Sequence, residues 1–109
     1  MQEAIVVYVT VGSAAEGDRL AQALVAEQLA ACVNRVGRVQ SVYRWEGKVE
    51  QSEEELLIIK TVKDSFPALE KRVRELHSYS VPEIVALPIV DGSESYLKWL
   101  RDQVTDGAA

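Results

Sequence analysis

The sequence has few of the residues that build disulfide frameworks and histidine-based metal sites. Its 109 residues include one cysteine, Cys32, and one histidine, His77. A single cysteine excludes an intrachain disulfide and every CxxC motif, and a single histidine excludes a site built from several histidines of one chain. A metal centre with such ligands would therefore have to combine residues from several copies of the chain.

Basic residues are outnumbered by acidic ones, and long apolar runs are absent from the sequence. Lysine and arginine number 12 against 17 acidic residues, a formal net charge of −5, so no excess of cations is present to neutralise nucleic-acid phosphates. The apolar runs are of strand length, well short of the ~18 residues that a membrane-spanning helix needs. Residues 1–4 lack the basic segment and cleavage pattern of a signal peptide. We expect a cytoplasmic protein with no nucleic-acid and no membrane partner.

The first half of the chain reads as strand, helix and hairpin. Hydrophobic residues make up 48% of the sequence, which is enough to give a single domain over residues 1–109 a core. Residues 5–11 form a continuous apolar run typical of a buried strand. Ser13 and Glu16 have the spacing of a capping box, which predicts a helix over about residues 14–30. Alternation over residues 39–45 predicts a strand, and Gly47 marks the turn of a hairpin.

The second half reads as helix, strand and short terminal helix. Ser65 or Asp64 is expected to cap a helix whose apolar stripe has helical spacing. Residues 84–90 predict a final strand, and Pro88 inside it indicates a position at the sheet edge. Ser93 is expected to cap a short helix, and residues 105–109 are expected to fray. The order βαββαβ with a terminal helix predicts an α+β, ferredoxin-like sandwich with an antiparallel sheet.

This fold leaves one face of the sheet without helices. Residues 5–11, 56–59 and 84–90 are apolar at both odd and even positions, so both faces of the sheet are hydrophobic. A bare apolar face of this size is unusual for a soluble monomer. We expect self-association to cover it, and the alternative is that the terminal helix folds across it.

Five segments, in order along the chain, carry a resemblance to a known family. They are residues 29–34 (LAACVN), 41–48 (SVYRWEGK), 59–61 (IKT), 81–89 (VPEIVALPI) and 96–100 (YLKWL). With these segments the chain resembles the CutA-like divalent-cation tolerance proteins. The resemblance implies a ferredoxin-like fold, a homotrimer with PII-like architecture, and a non-enzymatic role in tolerance to copper or another divalent metal. Kinship with the PII signalling proteins also leaves open a module that binds a small metabolite between subunits.

Two sets of residues are candidates for binding. His77, at the end of the second helix, and Glu83 are the best candidates for weak metal contact at subunit boundaries. Tyr43, Trp45, Lys60 and Tyr79 could line an intersubunit pocket for a small anion or metabolite, or could anchor the interface itself.

Other residues of the sequence offer less chemistry. The acidic stretch over residues 50–55 is read as a solvated face, because it lacks the spacing of a calcium loop. No nucleophile and base stand at the spacing of a catalytic motif, so we expect no enzymatic activity.

Overall fold

The computed structural model describes residues 2–104. Its elements are β1 (Ala4–Val11), α1 (Ala14–Ala26), β2 (Cys32–Trp45), β3 (Lys48–Val62), α2 (Phe66–Leu76), β4 (Ile84–Pro88) and α3 (Glu94–Gln103). The sheet order is β2-β3-β1-β4 and neighbouring strands are antiparallel, which confirms the predicted ferredoxin-like α+β fold. Within this range no helix is long and apolar enough to cross a membrane. Residues 105–109, expected to fray, lie outside the described residues.

The predicted starts of α1 and α3 are confirmed. The Ser13 hydroxyl accepts a hydrogen bond from the amide of Glu16 at 3.2 Å, and the Ser93 hydroxyl accepts one from Tyr96 at 3.3 Å. Both serines therefore satisfy an amide that the first helical turn leaves without a partner. β4 is an edge strand, as the proline at its end requires.

The end of α1 differs from the prediction. The helix stops at Ala26 because Gln28 adopts a left-handed conformation, with φ of 60°. The amides of Leu29 and Ala30 then both donate to the carbonyl of Leu24, at 2.9 and 3.1 Å. This tight closure turns residues 29 and 30 into the core. The apolar spacing that predicted a helix to residue 30 therefore reflects a folded-back end.

Both main helices pack on one face of the sheet, as predicted. The alternate residues of β1 and β3 that point to this face are fully buried or nearly so, and α1 and α2 cover them with leucines and a valine. The largest members of this core are Val7, Val9, Leu57, Ile59, Leu20, Leu24, Leu69 and Val73. We call this side the helix face and the opposite side the open face.

The open face is only partly covered. α3 packs over one end of it, where Leu100 contacts Ala4 and Val62 in a second, smaller cluster. Farther along the sheet, Val85 and Leu87 of β4 remain 47% and 44% exposed. The terminal helix therefore covers one end of the apolar face and leaves the rest to solvent in a single chain.

A β-bulge divides β2 into two halves. Val36 pairs with Leu56 of β3, but the next pair is Val39 with Glu54, so residues 37 and 38 of β2 stand against one residue of β3. Arg38, inside this bulge, takes the left-handed conformation, with φ of 63°. Before the bulge the even-numbered residues of β2 point to the open face. After it the odd-numbered residues do.

Candidate functional site

A cleft of about 630 Å3 lies on the open face, where the β2–β3 hairpin meets the loop that joins α2 to β4. β1 and both arms of the hairpin contribute to its wall, and the loop closes one side. The residues whose chemistry matters most are Thr10, Tyr43, Trp45, Glu54, Tyr79 and Glu83. Four of the six candidate residues predicted from the sequence thus line the same cleft.

The bulge in β2 brings the hairpin aromatics into this cleft. Because it shifts the alternation by one residue, Tyr43 and Trp45 lie on the open face, on the same side of the hairpin as Glu54. The two residues remain 42% and 46% exposed. Without the bulge the same strand would direct both rings to the helix face.

His77 does not lie on the cleft wall but fixes the loop behind it. Its side chain is fully buried. Nε2 lies 2.7 Å from the carbonyl oxygen of Thr10, which can only accept, so Nε2 carries the hydrogen. Nδ1 accepts from the backbone amide of Tyr79 at 3.0 Å. Both ring nitrogens therefore have partners, and His77 as placed offers no free lone pair to a metal, contrary to the expectation from the sequence.

Glu16 holds the next residue of the loop. Its carboxylate accepts from the backbone amide of Ser78 at 2.6 Å and from the Ser78 hydroxyl at 3.1 Å. Burial opposes ionisation, but the hydrogen bonds from Ser78 favour the charged carboxylate and outweigh it, so the pKa of Glu16 lies below its ordinary value of 4.5. The capping box is therefore correct for Ser13, whereas the Glu16 carboxylate ties α1 to the loop.

Glu54 holds the end of the same loop and is the site residue that the sequence did not reveal. Its Oε2 accepts from the phenol of Tyr79 at 2.9 Å. Burial and this carboxylate together raise the pKa of Tyr79 to about 12. The acidic stretch is not uniformly solvated, since Glu54 and Glu55 are 9% and 7% exposed. The useful signal was strand alternation, which places these two glutamates on opposite faces just where the apolar run begins.

Lys60 is the predicted pocket residue that lies elsewhere. It is six residues beyond Glu54 on β3, or ~20 Å along the strand, and its Nζ donates to the side-chain oxygen of Asn34. The cleft therefore lacks the cation that the sequence offered for binding a small anion. Of the described residues that line it, two are acidic and none is basic.

The donors of one chain do not fit a tightly held metal ion. No group of three or more histidine, cysteine, aspartate or glutamate side chains stands close enough to hold a metal within residues 2–104. The two carboxylates of the cleft are hard oxygen donors, and one of them is already hydrogen-bonded to Tyr79. Any metal contact here would need further ligands from other copies of the chain.

Comparison with known proteins identifies the family. The model of the CutA1 divalent ion tolerance protein family matches residues 5–103, which includes every element described above except the first residue of β1. The chain belongs to this family. The "Divalent-cation tolerance protein CutA" of Thermus thermophilus is 53% identical over 97 residues, which are 89% of this chain and 94% of that protein.

The CutA fold extends to plant relatives. "Protein CutA, chloroplastic" of Arabidopsis thaliana is 53% identical over 90% of this chain, although the chain spans only 54% of that longer protein. The crystal structure of CutA1 from Oryza sativa superimposes with a TM-score of 0.93 at 50% identity, covering 95% of each chain. The CutA family and the ferredoxin-like fold expected from the sequence are both confirmed.

Proposed function

We propose that this chain acts in divalent-cation tolerance as a non-enzymatic homotrimer in the cytoplasm. Membership of the CutA1 divalent ion tolerance family carries the proposal, together with the name of the Thermus thermophilus relative. The free thiol of Cys32 is compatible with a reducing compartment.

The apolar surface of the open face supports self-association. Leu87 and Val85 of β4 lie on this face, paired with Val6 and Tyr8 of β1, and they remain 44% and 47% exposed in a single chain. Covering apolar area stabilises an assembly by about 25 cal/mol per Å2. Only residues 55–62 of β3 pair with β1. The rest of the β2–β3 hairpin extends beyond the other two strands of the sheet, so it is placed to reach a neighbouring copy.

A charge placed on the open face is expected to break the assembly. Multi-angle light scattering of the wild type at about 10 μM should give three times the chain mass of 12.1 kDa. Leu87→Glu should shift the mass toward a single chain, because an unpaired carboxylate would be buried at the interface. Val25→Glu is the matched control, since Val25 of α1 is 43% exposed on the helix face against 44% for Leu87. A monomeric wild type, or equal dissociation of both variants, would contradict the proposal.

We propose further that divalent ions contact the trimer weakly through Glu83 at subunit boundaries. The carboxylate supplies an oxygen ligand on the cleft wall. His77 acts in this proposal as a structural residue, because its nitrogens are engaged with Thr10 and Tyr79.

Calorimetric titration with copper tests this contact. The wild type should give a weak, saturable heat, and Glu83→Gln should reduce the affinity several-fold. Glu53→Gln is the control. It removes the same charge as Glu83→Gln, but from an exposed position of β3 that lies outside the cleft. Negligible heat from the wild type would remove the metal role, and equal heats from the two variants would remove Glu83 from it.

A further inference from the structure

The cleft on the open face combines aromatic walls with negative charge. Tyr43, Trp45 and Tyr79 supply three rings, each between 38% and 46% exposed. Glu54 and Glu83 supply the carboxylates, and no basic residue stands among the described lining. Aromatic faces carry negative electrostatic potential and attract cations, most strongly in sites shielded from water. The aromatic walls and the carboxylates therefore both favour a cationic ligand.

One unmet hydrogen-bonding group lies in the same wall. The hydroxyl oxygen of Ser52 is buried and has no hydrogen-bond partner among the described residues, and Ser52 lines the cleft beside Glu54. A buried hydroxyl without a partner is costly. By rotating toward the cleft, it could accept a hydrogen bond from an N–H donor that enters there.

The donor set distinguishes an organic cation from a metal ion. A divalent metal needs several oxygen, nitrogen or sulfur ligands, and the cleft offers two carboxylates, one of them engaged by Tyr79. An alkylammonium group needs one or two acceptors and an apolar surface for its carbon chain, and the cleft supplies both. Its volume of about 630 Å3 is within the range of small-molecule sites.

We infer that this cleft is a binding site for small organic cations that carry an alkylammonium group. The ammonium lies between Glu83 and the free oxygen of Glu54, and the alkyl chain lies against Trp45 and Tyr43. The net charge of −5 favours the approach of such cations. The inference goes beyond the proposed role in metal tolerance and does not depend on it, because it rests on a cleft formed within one chain.

A charge series on one carbon chain tests the inference. The probes are n-butylammonium, 1-butanol and butyrate, titrated into the full chain up to tens of millimolar at constant ionic strength. Binding is followed by the indole N–H signal of Trp45 in proton–nitrogen NMR spectra. Trp99 is an internal reference, because it lies on α3 outside the cleft lining and packs on Tyr96. We expect n-butylammonium to shift the Trp45 signal saturably, with little effect on Trp99, and the other two probes to bind at least about tenfold more weakly.

The carboxylate variants localise the effect. Glu83→Gln should weaken n-butylammonium binding about tenfold, whereas Glu53→Gln, with the same charge change outside the cleft, should leave it unchanged. Equal binding of 1-butanol, stronger binding of butyrate, or an equal effect of the two variants would overturn the inference. So would the absence of any Trp45 shift in a sample whose mass is that of the wild-type assembly. Light scattering on the same samples separates this failure from a failure of the trimer proposal.

Discussion

Replacing Gly17 by alanine is expected to destabilise the protein by about 2 kcal/mol, although alanine normally stabilises a helix. Gly17 lies in the first turns of α1, and a methyl group built there would overlap the Oε1 atom of Glu55 and stand 2.9 Å from its Cδ. The Cγ2 methyl of Val11 is also close, at 3.3 Å. The glycine is therefore required by the close approach of β3 to the helix.

Glu55 cannot easily move aside, because Arg35 of β2 holds it. The guanidinium contacts both carboxylate oxygens, at 2.6 and 3.2 Å, and also donates to the carbonyl of Ala14 at 3.0 Å. The side chain of Glu55 is nearly fully buried, so displacing its carboxylate would leave a buried charge without its partner. This loss exceeds the gain of up to ~1 kcal/mol in helix propensity.

A double-mutant cycle, followed by urea unfolding, measures the steric conflict between a side chain at position 17 and Glu55. In a Glu55→Ala background the overlap is removed and only the 3.3 Å contact with Val11 remains, so Gly17→Ala should change sign and stabilise the fold by less than ~1 kcal/mol. Gly37→Ala is the control for glycine replacement, since a Cβ there meets nothing within 4 Å. If Gly17→Ala destabilises both backgrounds equally, the contact with Glu55 is not the cause.

The sequence was sufficient for the parts of this fold that depend on local patterning. The Ser13 and Ser93 caps, the hairpin turn and the edge position of Pro88 follow from the chemistry of a few neighbouring residues. Glu46 and Gly47 form that turn with φ of 50° and 81°, as a two-residue hairpin connection requires. These features are fixed by interactions within a few residues of each other, and such interactions can be read directly.

The site could be predicted only in part, because its assembly depends on register and on distant contacts. Only the pairing of β2 with β3 shows that a bulge after Val36 sends Tyr43 and Trp45 to the open face. Similarly, the partner of His77 is the carbonyl of Thr10, 67 residues earlier. Residue types alone favoured His77 as a metal ligand, whereas its buried hydrogen bonds make it part of the scaffold.

Replacing His77 by alanine is expected to destabilise the protein by about 3 kcal/mol and to release Tyr79 from its position in the cleft. The change would remove a buried ring and leave two backbone groups, the Thr10 carbonyl and the Tyr79 amide, without their partners, each at a cost of about 1–3 kcal/mol. The ring also packs on Tyr79 with centroids 4.7 Å apart. The substitution should therefore lower the free energy of unfolding and also change the position of Tyr79.

Two conservative replacements of His77 separate the contributions of its two ring nitrogens. Asparagine can offer an acceptor near the place of Nδ1, and glutamine can offer a donor near the place of Nε2. His77→Asn should therefore keep the bond to the Tyr79 amide and His77→Gln the bond to Thr10, so each should lose less stability than His77→Ala. Chemical denaturation of the three variants gives this order. Equal losses in all three would mean that ring packing, and not hydrogen bonding, sets the cost.

The ionisation of Tyr79 reports whether the loop has moved. In the wild type, burial and Glu54 hold the pKa of Tyr79 at about 12, so the neutral phenol is favoured by folding. This contribution to stability is complete below pH 10 and is lost as the pH rises toward 12. In His77→Ala the pKa of Tyr79 should fall toward its ordinary value of 10, as measured by ultraviolet titration against Tyr79→Phe. A pKa that stays near 12 would show that Glu54 alone positions the tyrosine, and that His77 stabilises the fold without organising the cleft.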